Sequence, residues 1–181
     1  AFNVSRIRNK REGLYQNGRF ENTSLGLSNK LSFTNYGVKV GGTYKINGRN
    51  LIDANVGYLT QAPTLRNSFS NSRENNNTVN NLESENVFSL DASYIRRSPI
   101  ITARLTGYYT SIKEATEISF YFADGVGGDN TAFVQEILSG IEKNQVGFEL
   151  GLEAQVTATI KLKGAAAVGS FTYANNPDLY L

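Results

Sequence analysis

Long stretches of this chain alternate strictly between apolar and polar residues, and the connections between them alternate between very short and very long. Between Gly37 and Ile46, Val38, Val40, Gly42, Tyr44 and Ile46 interleave with Lys39, Gly41, Thr43 and Lys45. Asn47-Gly48-Arg49-Asn50 then reads as a tight turn, because Asn-Gly is the strongest short-range hairpin signal. Ile52, Ala54, Val56 and Tyr58 follow, spaced by Asp53, Asn55 and Gly57. A second pair of runs (Phe88, Leu90, Ala92, Tyr94; then Ile101, Ala103, Leu105, Gly107, Tyr109) meets at Arg97-Ser98-Pro99. A third (Val146, Phe148, Leu150, Leu152; then Ile160, Leu162, Gly164, Ala166) meets at Thr157-Ala158-Thr159. Successive strand side chains point to opposite faces, so each run has one apolar and one polar face. With tight turns on one side and long loops on the other, the pattern predicts an all-β, antiparallel transmembrane β-barrel wall.

Strand length argues the same way. Most runs reach about ten residues, against an average of about five or six in soluble sheets and the roughly 9–11 that a tilted strand needs to cross a bilayer. About seven such strands are expected, counting Ala1 to Arg8 as the tail of one. Asn9 to Phe33, Gln61 to Glu85 and Lys113 to Asn144 read as long loops, and Asp178-Leu179-Tyr180-Leu181 as part of a fourth. The second of these, about 25 residues with Asn75-Asn76-Asn77 at its centre, is too long for an ordinary connection and so is either functional or disordered.

Composition narrows the chemistry. The 181 residues contain no cysteine, which removes disulfides and thiolate chemistry, and no histidine, which removes the usual general base and the commonest transition-metal ligand. Neither an enzyme nor a cofactor is expected. A net charge of +2 is no nucleic-acid footprint, and the small cluster Arg6, Arg8, Lys10 and Arg11 is expected to face solvent or lipid headgroups. No apolar run approaches the length of a transmembrane helix. The absence of any methionine suggests a processed product or a piece of a longer chain. Tyr44, Tyr58 and Tyr94 near strand ends suit either an interfacial aromatic girdle or ordinary cross-strand packing.

Five segments in order resemble the C-terminal barrel of TonB-dependent outer-membrane receptors of the Bacteroidetes type. They are Tyr36-Gly37-Val38-Lys39-Val40-Gly41-Gly42-Thr43-Tyr44-Lys45-Ile46-Asn47, Asn55-Val56-Gly57-Tyr58-Leu59-Thr60-Gln61-Ala62-Pro63, Asn81-Leu82-Glu83-Ser84-Glu85, Ala103-Arg104-Leu105-Thr106-Gly107-Tyr108-Tyr109-Thr110 and Gly147-Phe148-Glu149-Leu150-Gly151-Leu152-Glu153. Ser84 departs from the proline common at that point. The resemblance covers roughly Tyr36 to Pro177 and implies that residues 1–181 are a partial barrel domain, an arc of a wall of about 22 strands closed around a plug. It further implies residence in the outer membrane of a Gram-negative bacterium and import of a scarce nutrient such as an iron chelate, cobalamin or a glycan. The implied partners are membrane lipid, the rest of the barrel and plug, and the TonB complex, reached through regions outside this sequence. The alternatives are a self-contained small outer-membrane barrel with a structural or adhesive role, or a soluble eight-stranded ligand binder with its apolar face inward.

Few residues stand out as sites. Glu149 and Glu153 share a strand face and are expected to face a lumen rather than to act as a catalytic pair. Asp124-Gly125-Val126-Gly127-Gly128-Asp129 lacks both the ligand series of a calcium loop and the strand-to-helix context of a phosphate cradle. Arg66, Arg73, Phe120, Tyr121 and Phe122 fall in the expected long loops and are the candidate ligand contacts.

Overall fold

The computed structural model describes residues 1–124 and 132–180. Among them, ten strands follow along the chain. They are β1 (Phe2–Asn9), β2 (Glu12–Gly13), β3 (Gly26–Leu27), β4 (Leu31–Asn47), β5 (Asn50–Gln61), β6 (Glu85–Arg97), β7 (Ile101–Ala123), β8 (Ala132–Gln155), β9 (Lys161–Tyr173) and β10 (Asp178–Tyr180). One short helix, α1 (Leu65–Ser68), lies between β5 and β6. Eight strands make one antiparallel sheet in the order β1, β4, β5, β6, β7, β8, with β9 and β10 both paired to the far side of β8. Among the described residues this sheet does not close on itself. The remaining two, β2 and β3, form a small separate ribbon.

The three tight turns lie at one end of the sheet. Asn47 pairs with Asn50 across a two-residue loop, where the Asn47 side-chain oxygen accepts from the Arg49 and Asn50 amides. The next two turns abut it along that edge: the Arg97 amide donates to the Arg49 carbonyl at 2.7 Å, and the Gln155 amide to the Ile100 carbonyl at 2.8 Å. The long connections all lie at the other end.

Register extends the alternation of single strands into rows across the sheet. Tyr44, Ile52, Tyr94, Leu105, Leu150 and Ala166 stand opposite one another in sequence from β4 to β9. A parallel row runs through Val40, Val56, Leu90, Tyr109 and Val146. Because the side-chain period is two, all of these residues share one face. They remain exposed: Val40 is 63% accessible, Phe148 58% and Val168 70%. The other face carries the polar set, including Asp53, Asn55, Asp91, Ser93, Thr106 and Glu149.

Two expectations are corrected. Lys113 to Asn144 is not a long loop, because β7 and β8 run on together beyond the neighbouring strands as a hairpin that pairs out to Ala123 and Ala132. Register shifts between Ile112 and Ala115 and between Ala115 and Glu117, with Glu114 at φ 57°, throw the alternation out of phase. A period-two pattern breaks at such a bulge although the strand continues. Likewise, Asp178–Tyr180 is a short strand, β10, on Ile137–Ser139 of that hairpin. The expected glycine-rich segment from Gly125 to Asp129 lies outside the described residues.

The buried core sits at the loop end. Phe69 and Ile141 are fully buried, and Ala62, Val79, Ala115 and Ile118 nearly so. The segment between β5 and β6 is therefore folded against the hairpin extension, with the Asn67 amide group donating to the Thr116 carbonyl at 2.7 Å.

Candidate functional site

Of the hollows among the described residues, two gather side chains singled out by the sequence, one on the polar face of the sheet and one among the loops. The first is an open trough of about 850 Å3, lined by residues of six successive strands, from Lys39 on β4 through Asn55, Asp91, Arg104 and Glu149 to Ala167 on β9. The apolar face carries only a smaller hollow, of about 380 Å3 across four strands, so the broader trough fits a sheet curved toward its polar side. Its side chains satisfy one another. Asn55 donates to Asp91 at 2.9 Å, Thr43 to Asp53 at 2.6 Å, and Arg104 to Ser93 at 3.1 Å. Lys161 and Lys163 both pair with Glu153, at 2.7 and 3.2 Å. Glu149 and Glu153 do share this face, but Glu153 is committed to the two lysines. Gly147 is required here because a Cβ would meet the Tyr108 hydroxyl and the Val168 carbonyl, each at 2.6 Å.

The second feature is built by the packed segment after β5. Thr64 opens α1, its hydroxyl accepting from the Asn67 amide, and this sets Arg66 on the first turn. The chain then returns on itself: the Ser70 amide donates to the Asn77 carbonyl and the Val79 amide to the Ser68 carbonyl. The asparagines hold this return. Asn75 is buried, its side-chain oxygen accepting from Ser70 at 3.0 Å and from the Asn77 amide at 3.1 Å. Asn71 accepts from the Arg73 amide and donates to Glu74. Buried polar side chains are tolerated only when paired in this way.

A cavity of about 460 Å3 opens between this segment and β7, lined by Arg66, Ser70, Asn71, Ser72, Arg73, Glu74 and Phe120. Three of the five candidate contacts, Arg66, Arg73 and Phe120, thus meet at one place despite their separation in sequence. The aromatic candidates are not on a loop, however, since Phe120, Tyr121 and Phe122 belong to β7. Tyr121 and Phe122 do not line the cavity, and Phe122 is 73% exposed. Ser70, Asn71, Ser72 and Glu74 escape sequence reading because their polarity resembles that of any loop.

Arg11 corrects another expectation, that its cluster simply faces solvent or headgroups. Its guanidinium donates to the Ser72, Ser24 and Arg73 carbonyls and, at 2.6 Å, to the Asn76 side-chain oxygen. One cation thereby fastens the segment carrying β2 and β3 to the segment carrying Arg73. Gly13 makes that approach possible, since a Cβ there would lie 1.7 Å from the Ser24 carbonyl oxygen.

At the rim between wall and loops, Lys143 contacts Glu117 and lies near Glu85. Half-burial raises the Glu85 carboxyl above its ordinary value; Lys143 opposes the shift and Glu117 adds to it. Among the described residues no cluster of acidic side chains could hold a metal ion. Among the described residues no helix is long and apolar enough to cross a membrane, which leaves crossing by strands open.

The chain matches no protein-family profile, no curated protein and no solved structure.

Proposed function

We propose that this chain is an arc of the wall and outer loops of a TonB-dependent outer-membrane receptor that imports a scarce nutrient. The observation that carries the membrane part is the pairing of an exposed, apolar face with a hydrogen-bonded, polar one that holds the broader trough. A soluble barrel that binds ligand inside would curve the other way, toward its apolar face. Soluble monomers rarely expose so continuous an apolar surface.

Dimensions support the same reading. From Tyr36 to Ile46 the outward positions span ten residue steps, roughly 33 Å at about 3.3 Å per step. At a tilt of about 40° that is a height of roughly 25 Å, the thickness of the apolar band on outer-membrane barrels. Tyrosines stand at both margins with their hydroxyls bonded: Tyr94 to Asn50 at 2.7 Å on the turn side, Tyr58 to Asn86 at 2.8 Å on the loop side. Aromatic rings with one wet end suit a membrane interface. The receptor family and the coupling to TonB rest on the ordered sequence resemblance alone.

The sequence has neither tryptophan nor cysteine, so a single introduced tryptophan is an unambiguous probe. Val40→Trp, Phe148→Trp and Val168→Trp are expected to be quenched by brominated lipids in reconstituted vesicles, and Asn55→Trp and Thr106→Trp not. A chain that stays soluble and monomeric without detergent overturns the membrane reading. The coding sequence around the chain tests the receptor reading separately. A plug domain upstream supports it, whereas a signal peptide directly before Ala1 with a stop after Leu181 would leave a small self-contained barrel.

A further inference from the structure

We propose that the cavity between the 66–74 segment and β7 binds a small, soluble molecule bearing carboxylate groups, with Arg66 and Arg73 as its charge partners. The cavity, at about 460 Å3, falls within the range of small-molecule sites. Two guanidiniums and one carboxylate, Glu74, line it, leaving an excess of positive charge. The carboxylate is already engaged, accepting from Asn71 at 3.2 Å.

The arginines of this region divide sharply in what they do. Arg11 spends its guanidinium on four protein oxygens and lies half-buried. Among the described residues, neither Arg66 nor Arg73 makes a side-chain hydrogen bond or ion pair, and both lie exposed at the cavity. Their backbones, in contrast, are firmly placed: Arg66 by the helical turn that Thr64 caps, Arg73 by the Asn71 side chain and by its carbonyl bond to Arg11. A planar guanidinium on an ordered backbone is suited to bidentate capture of a carboxylate. The occupant is therefore anionic and small, and Phe120 supplies an apolar wall for its carbon skeleton.

This inference stands on the packing of the loops, so it succeeds or fails independently of the membrane reading, which the tryptophan probes address. Citrate serves as the probe, titrated calorimetrically into the folded full chain, with glucose as an uncharged control of similar size. Saturable citrate binding that weakens with added salt is expected, with none for glucose. Arg66→Gln and Arg73→Gln should each weaken it on the order of tenfold, as the loss of one charged hydrogen-bonding partner implies. Arg49→Gln, at the opposite turn end, should change nothing. Circular dichroism and melting of each variant check that the fold is retained. Equal binding of glucose overturns the anionic class. Absence of saturable citrate binding, or binding unchanged in a folded Arg66→Gln, Arg73→Gln double variant, overturns the site.

Discussion

The wall and the cap of loops above it obey opposite rules. In the wall, order comes from the backbone ladder, and large apolar side chains stand exposed on the convex face while polar ones bond to one another on the concave face. In the cap, order comes from burial. Of the largest fully buried side chains among the described residues, Phe69, Ile141, Asn75, Ser24 and Ser68 belong to the cap or the hairpin extension under it, and only Ser93 to the wall. The wall leaves its large apolar side chains uncovered among the described residues, whereas the cap carries its own small core, half of it polar. The difference teaches that in such a chain exposure and burial cannot be read from hydropathy alone. Val40 is exposed and Asn75 buried.

Substitutions can break this contrast. Phe69→Ala should have the largest effect, costing the cap about 3–5 kcal/mol by leaving a cavity where a fully buried ring stood. Limited proteolysis should then cut within residues 61–85 while the strand signal in circular dichroism persists; simultaneous loss of both would mean that cap and wall are one cooperative unit. A charge on the convex face comes next. Leu90→Arg should cost about 2–4 kcal/mol for the chain folded into vesicles. An unchanged unfolding midpoint there would deny that this face meets lipid. Arg11→Ala should cost the cap roughly 2 kcal/mol through loss of its charged hydrogen bonds. It should raise amide exchange at both Ser24 and Asn76, which no single-loop role would produce.

The smallest effect is a pH dependence at the rim. Burial raises the Glu85 carboxyl, so the folded state binds its proton more tightly than the unfolded one does. Stability is then greatest below the ordinary Glu range and declines as pH rises through the raised value. Glu85→Gln should flatten that decline in amide exchange near residue 85.

Sequence reading and structure agree where the information is local. Alternation at Val38 to Ile46 and Ile52 to Tyr58, and the turn signals at Asn47-Gly48 and Ser98-Pro99, specify strands, faces and tight turns without any distant partner. The candidates Arg66, Arg73 and Phe120 were legible as residue types in suspicious places, but not as one site. Their meeting depends on the hairpin extension, and that extension is hidden because the bulge at Ile112–Glu117 breaks the period. The cap was equally hidden, since asparagines and serines that bond to each other in a packed turn have the composition of a disordered loop.

What the sequence by itself determined is the wall: an all-β, antiparallel sheet with one apolar and one polar face, because a strand's period of two is a property of each residue's immediate neighbours. Tertiary structure alone decided which face is concave, that the longest connection folds into a cap, and which side chains share a cavity. Each of these depends on register and packing between segments far apart in the chain, which local alternation does not encode.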